Sequence, residues 1–311
     1  MQLTLETDSL AHLPLPHVLD AAQRLNLAGL ELNTGGQSAS PHINVDLMLR
    51  DAGARRGFLA DVAARDLRIF GLNAFGNPLH PVDRKPADDL VATLRLAGEM
   101  GVDTVIAASG LPAANTTDET PNWVTNSWTP ESKAILRYQW EDVLFPFWTA
   151  IGALAKECGV RRIALTLGPN QCVHNVPTLM ALRDTIGPQI GANLVPAHQI
   201  LLGADPIRGV EVLGDALYNV QATDVLLNPT VQSLSSLIDT GDVMEVADRA
   251  WSITTPGYGH ERHWWARFFY RLAMIDYDGG ISVTHLDQVL SPLDSVQKSA
   301  EFLRPILSGA G

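Results

Sequence analysis

The chain is poor in cysteine, in clustered basic residues and in long apolar runs, and each shortage removes a class of protein. Its two cysteines, Cys158 and Cys172, make no disulfide framework in 311 residues, and neither sits in a CxxC pair. Lys plus Arg number 22 against 34 Asp plus Glu, a net charge of −12, and no Lys/Arg-rich run offsets it. An acidic surface repels phosphate backbones, so nucleic acid is not an expected partner. No apolar run is long enough to span a bilayer, and the first residues, MQLTLETDSL, lack the basic and apolar regions of a signal peptide. A cytoplasmic location without membrane association is the expectation. The chain also has no P-loop, HExxH helix, GxSxG elbow or cysteine cluster.

What is present is an alternation. Strand-like segments at Gln2–Leu5, Ala28–Leu32, Arg68–Asn73, Thr104–Ala108, Arg162–Leu167, Gln189–Leu194, Leu217–Ala222 and Gly280–His285 are separated by amphipathic stretches. These are Leu15–Leu25, Val45–Arg65, Ala87–Met100, Glu131–Cys158 and Val176–Ile186, with Leu293–Leu307 after the eighth strand. Helical patterns between strands imply a parallel sheet covered by helices, and eight strands fit a closed barrel. An open nucleotide-binding sheet would carry a Gly-rich turn after its first strand, where this chain has ETDSLAHLPLP. At 46% hydrophobic content, 311 residues suit one large domain, an α/β barrel over 1–311. The irregular stretch 109–130 follows a strand's C-terminal end, the active face of such barrels. With Trp123 and Trp128 it reads as a lid over the mouth.

Several segments carry a more specific likeness. LNLAGLELNTGG (Leu25–Gly36), GLNAFGNPLHP (Gly71–Pro81), VDTVIAASGLP (Val102–Pro112), YQWEDVLFPFW (Tyr138–Trp148) and GYGHERHWWARFF (Gly257–Phe269) resemble the sugar phosphate isomerase/epimerase family, the xylose isomerase-like TIM barrels. The resemblance covers nearly the whole chain and implies a single (β/α)8 barrel. It also implies a divalent metal held by Glu, Asp, His and Glu at four strand ends. The matching residues here are Thr166, Val195, Gln221 and Thr284. Hard cations need several anionic or carbonyl oxygens, and zinc or iron needs imidazole, thiolate or carboxylate. The expectation is no metal and no cofactor, with neutral Thr166, Gln221 and Thr284 hydrogen-bonding a substrate oxygen instead.

The remaining candidates are placed by strand alternation. Glu31 faces inward with Asn33, as either a proton-transfer group or half of an ion pair. His198, just past the sixth strand, is a candidate general base or a loop histidine bonded to backbone. His260 lies in the Gly-flanked run PGYGHER, either turned toward a ligand or starting a helix. Asp224 orients a substrate or His198, or caps its loop. His285 points away from the axis and Asp287 lies nearby. Asn73 and His80 belong to the third loop, as substrate contacts or turn residues. Trp123 and Trp128 stack on a sugar or aromatic ligand, or latch the loop. Cys172 and His174 form a conceivable nucleophile pair.

Two functions follow. One is a metal-independent isomerase, epimerase, lyase or cyclase acting by proton transfer on a small oxygenated metabolite, with His198, His260, Glu31 and Asp224 as its catalytic groups. The other is an inactive barrel serving as a ligand-binding or partner subunit of a metal-bearing homologue. Assembly with a second copy or with a related barrel stays open.

Overall fold

The computed structural model describes residues 1–309. In it the expected strands appear as β1 (Gln2–Glu6), β2 (Gly29–Asn33), β3 (Arg68–Ala74), β4 (Thr104–Ala107), β5 (Arg162–Thr166), β6 (Ile190–Leu194) and β7 (Leu217–Ala222). An antiparallel pair follows, β8 (Asp224–Leu227) with β9 (Trp251–Thr254), and β10 (Gly280–Val283) is the eighth barrel strand. The eight parallel strands close in the order β1-β10-β7-β6-β5-β4-β3-β2. β2, β4 and β6 are buried at every residue, as strands with both faces covered must be.

The helices are α1 (Leu15–Arg24), α2 (Val45–Arg50), α3 (Ala52–Ala63), α4 (Lys85–Met100), α5 (Pro130–Arg137), α6 (Phe145–Glu157), α7 (Val176–Ile186), α8 (Pro196–Leu201), α9 (Pro206–Leu213), α10 (Pro229–Ser235), α11 (Arg262–Met274) and α12 (Pro292–Leu307). Their starts are chemically marked. Asn44, Thr129, Asn175, Asp205, Asn228 and Ser291 each accept a backbone N–H at an N-terminus, satisfying donors the helix itself leaves open. Gly101 ends α4 in the left-handed region at φ 71°.

Two amphipathic stretches are subdivided. The one at 45–65 breaks at Asp51, whose carboxylate accepts from Gly53 and Ala54 and so restarts the helix as α3. The one at 131–158 is α5, a π-wound run at Tyr138–Leu144, and α6. The elements α8, α9 and α10 and the β8/β9 hairpin are additions to the sequence reading.

Contacts gather in two compact units. One comprises Met1–Glu31, Val62–Phe70 and the chain from Leu194 onward; the other is Leu32–Asp61 with Gly71–Asn193. In the first, Thr4 pairs with Ser282, Ser282 with Gln221, and Glu6 with Glu31 across neighbouring strands. In the second, Thr166 pairs with Asn193.

Candidate functional site

Glu31 is 1% exposed, so its carboxylate depends on protein donors. Three neutral groups supply them. Asn219 Nδ2 donates to Oε2 at 2.9 Å, Gln221 Nε2 to Oε1 at 2.6 Å, and Ser282 Oγ to Oε2 at 2.5 Å. Since the Ser282 hydroxyl donates to Glu31, it accepts from Thr4 Oγ1 at 3.0 Å, giving a relay Thr4–Ser282–Glu31. Asn219 and Gln221 reach one carboxylate because residues two apart on a strand share a face, as alternation predicts.

The second constellation is built around Asp224, the first residue of β8 and 2% exposed. Its Oδ1 accepts from the Val225 N–H at 2.9 Å and from His260 Nδ1 at 2.7 Å. Its Oδ2 accepts the N–H groups of Gly257, Gly259 and His260 at 3.0, 3.2 and 2.8 Å, and the Trp265 indole at 3.4 Å. Such convergence of backbone amides is an anion nest, and the start of α11 behind it adds the positive end of a helix dipole. The local sequence makes it possible. Gly257 adopts φ 96°, and a Cβ on Gly259 would lie 2.2 Å from the Val225 carbonyl oxygen. Trp265 is fully buried beneath the turn, while Trp264 packs on the His260 ring with centroids 4.6 Å apart.

A carboxylate can only accept, so His260 Nδ1 carries the proton it shares with Asp224. The neutral ring therefore presents its lone pair at Nε2. Nε2 makes no hydrogen bond among the described residues, and the side chain is 23% exposed. A histidine held in one tautomer by a buried carboxylate, with its other nitrogen accessible, is equipped to take or give a proton.

The other sequence candidates are placed separately. His198 is half-buried in the first turns of α8. Asp224 binds His260, not His198. His80 Nδ1 accepts the N–H groups of Val82 and Asp83, so the ring closes a turn. Asn73, 3% exposed, accepts from the Phe75 N–H at 2.8 Å. Trp123 packs edge-on against His174 at 5.9 Å, whereas Trp128 is 88% exposed. His174 Nδ1 lies on the Cys172 carbonyl at 3.2 Å, and burial pushes the Cys172 thiol up to about 12, away from the thiolate form. Burial also lowers His285, and its backbone N–H donates to Ser9 Oγ. Asp287, also unassigned to chemistry, accepts from Thr255, Val289 and Leu290.

The four positions where the resemblance implies metal ligands do not offer a cation's donor set. Thr166 Oγ1 accepts from Asn193 Nδ2 at 2.9 Å, and Gln221 is bonded to Glu31. Val195 is an alkyl group beginning α8. Thr284 is 7% exposed, and its Oγ1 finds no partner among the described residues. Nor do three His, Cys, Asp or Glu side chains converge as a metal would require among those residues. No helix of the described residues is long and apolar enough to cross a membrane.

The loop 109–129 is fastened within its own unit. Asn77 donates to the Leu111 carbonyl and accepts its N–H. Trp148 Nε1 donates to the Ser109 carbonyl. Gln139, at the start of the π-wound run, donates from Nε2 to the carbonyls of Pro112, Ala113 and Asn122.

Comparison with known proteins agrees with this architecture. The chain is 39% identical over 312 residues to the uncharacterized protein YfiH of Bacillus subtilis (strain 168), covering 99% of this chain and 100% of that one. The probable 3-DHS dehydratase AsbF of Bacillus anthracis superposes with a TM-score of 0.68 at 14% identity, over 97% of this chain and 98% of its own. D-psicose 3-epimerase of Clostridium cellulolyticum H10 does so with a TM-score of 0.60 at 10% identity, over 99% of both. Identities this low carry the fold alone. The family described as xylose isomerase-like TIM barrel matches residues 19–306. With the closed eight-stranded barrel, this makes the chain a member of the xylose isomerase-like TIM barrel family.

Proposed function

We propose that the protein is an enzyme that moves a proton on a small oxygenated metabolite without a divalent metal at the family's four strand ends. The observation that carries this reading is the His260–Asp224 pair, 2.7 Å between Nδ1 and Oδ1, with Nε2 left accessible. His260 takes the proton from a carbon or hydroxyl, and Asp224 stabilises the imidazolium that forms. Glu31 is a second proton-transfer group, and its Thr4–Ser282 relay gives it a fixed orientation. Thr284 offers a substrate oxygen an unused hydroxyl, and Gln221 keeps its amide oxygen for a substrate hydroxyl. His198, half-buried on α8, is a further candidate proton-transfer group in the same unit. A dehydratase and an epimerase among the structural neighbours support proton transfer as the reaction class. Isomerisation, epimerisation, elimination and cyclisation each have routes that pass through that step.

Without a metal, several kcal/mol of charge stabilisation must come from elsewhere. A substrate whose proton is already acidic, such as one beside a ketone, needs the least help. The test is deuterium exchange in D2O on a panel of ketoses and cyclic polyhydroxy-ketones, followed by NMR with chelator present. Exchange at the carbon next to the carbonyl should persist with chelator and fall by roughly 10²–10⁴ in His260→Ala. Exchange abolished by the chelator, or undiminished in that variant, sinks the proposal.

A non-catalytic partner subunit is the second reading. Leu234, Ile238, Val243 and Met244, all between β8 and β9, are each more than half exposed, and apolar side chains gathered this way commonly mark an interaction surface. It gains if wild-type protein exchanges no member of the panel.

A further inference from the structure

The outer face of α11 is basic in a chain of net charge −12. Trp265, Phe268, Phe269 and Leu272 bury one side of this helix, and its period leaves His263, Arg267 and Tyr270 together on the other, all exposed. With Arg262, and with Pro305 and Ile306 of α12, they line a groove of about 390 Å³. No Asp or Glu lines it. Arg267 has no ion pair or hydrogen bond among the described residues, and Arg262 reaches only the Pro305 carbonyl, at 3.4 Å. Two guanidinium groups thus border an apolar floor that no carboxylate of the same chain lines.

The segment between α10 and β9 has the opposite character. Between Leu227 and Trp251 the sole Lys or Arg is Arg249, which is 3% exposed. Its Nη1 donates to the Gly241 carbonyl, and its guanidinium lies over the Trp251 ring at 4.3 Å from the centroid. Asp239 accepts the N–H groups of Gly241 and Ala250, both at 2.8 Å, and Trp251 Nε1 donates to the Leu237 carbonyl at 3.0 Å. These bonds hold the segment in shape from within. Its outer surface presents Ile238, Val243 and Met244, each more than half exposed, among the exposed carboxylates of Asp242, Glu245 and Asp248. None of its residues lines the groove on α11 and α12, so a copy does not fill its own groove.

We infer that the groove receives the segment 238–248 of a second copy of this chain. Val243 and Met244 cover the floor formed by Tyr270, Pro305 and Ile306, and Glu245 and its neighbouring acids meet Arg262 and Arg267. Burial of the apolar side chains supplies affinity, and acid against base fixes which surfaces meet. Each copy carries both halves, so two copies related by a two-fold axis occupy each other's grooves. The inference stands whether or not the barrel is catalytic: hydrodynamics reads one and deuterium exchange the other.

Sedimentation velocity on the full chain, from about 1 to about 100 μM, tests it. Wild-type protein should dimerise within that range. Arg267→Glu and Glu245→Arg should each raise the dissociation constant about tenfold or more, because each sets like charges against one another in both grooves. An equimolar mixture of the two variants should dimerise again to within about threefold of wild type, since in the mixed dimer every groove faces a segment of opposite charge. Thermal melts establish that each variant is folded; if either is not, Val243→Asp carries the test with the same expected loss. A wild-type chain that stays monomeric, a dimer indifferent to the substitutions, or a mixture no tighter than its separate variants overturns the inference.

Discussion

Asp224 shows how much one side chain can organise. Six N–H donors converge on its two oxygens, five from the Gly257–Trp265 segment and one from its own neighbour. Asparagine is nearly the same shape, but it offers one acceptor oxygen and turns an NH2 toward donors. Asp224→Asn should therefore cost about 3 kcal/mol, as expected when a buried hydrogen-bonded charge is removed. Urea unfolding reads this directly, and an unchanged midpoint would show that the Gly257–His260 turn holds itself. At this scale the sequence was partly legible. Strand alternation put Glu31 on an inward face, because a period of two is fixed by backbone geometry. The partnership of Asp224 with His260 was not legible. The two are 36 residues apart, and their meeting depends on a hairpin between them that no strong periodicity announces.

Among the elements, the barrel strands were readable because each is a short apolar run between polar turns, buried whole. Helix subdivision was harder to read. The stretch 131–158 keeps a helical period throughout, and a local widening to π-winding changes the hydrogen-bond pattern without changing composition. That widening has a consequence for the loop 109–129, because Gln139 lies in it and ties three loop carbonyls with one amide nitrogen. Gln139→Ala should leave the barrel folded and loosen the loop. Hydrogen exchange at the Asn122 N–H, bonded to the Pro112 carbonyl, should speed up by at least tenfold, corresponding to about 1.4 kcal/mol of local stability. Equal protection in the variant would assign the loop's order to Asn77 and Trp148 instead.

For the molecule as a whole, acid should be destabilising in two steps. His174 and His285 are both lowered below 6.5, burial being the larger cause in each, so the unfolded chain binds protons more readily than the folded one. Stability they permit above pH 6.5 is lost as pH falls from there through their folded-state values. Asp287 adds a second step. Burial alone would raise it, but the N–H groups of Thr255, Val289 and Leu290 and the Thr255 hydroxyl outweigh burial and hold it below 3.8. Its contribution is present above 3.8 and disappears as pH falls through its folded value. Melting temperature should drop between pH 7 and pH 5, and the double substitution of His174 and His285 by Gln should flatten that drop. A melting temperature that rises on acidification would contradict the assignment.

The hairpin of β8 and β9 starts at Asp224, paired with Thr254, and returns to the chain just before Gly257. Everything between Leu227 and Trp251 is therefore outside the anchorage that holds His260. Lineages can lengthen, trim or replace that segment while its root stays fixed. It is a natural socket for diversification, where a descendant can acquire a new partner without rebuilding the imidazole's support.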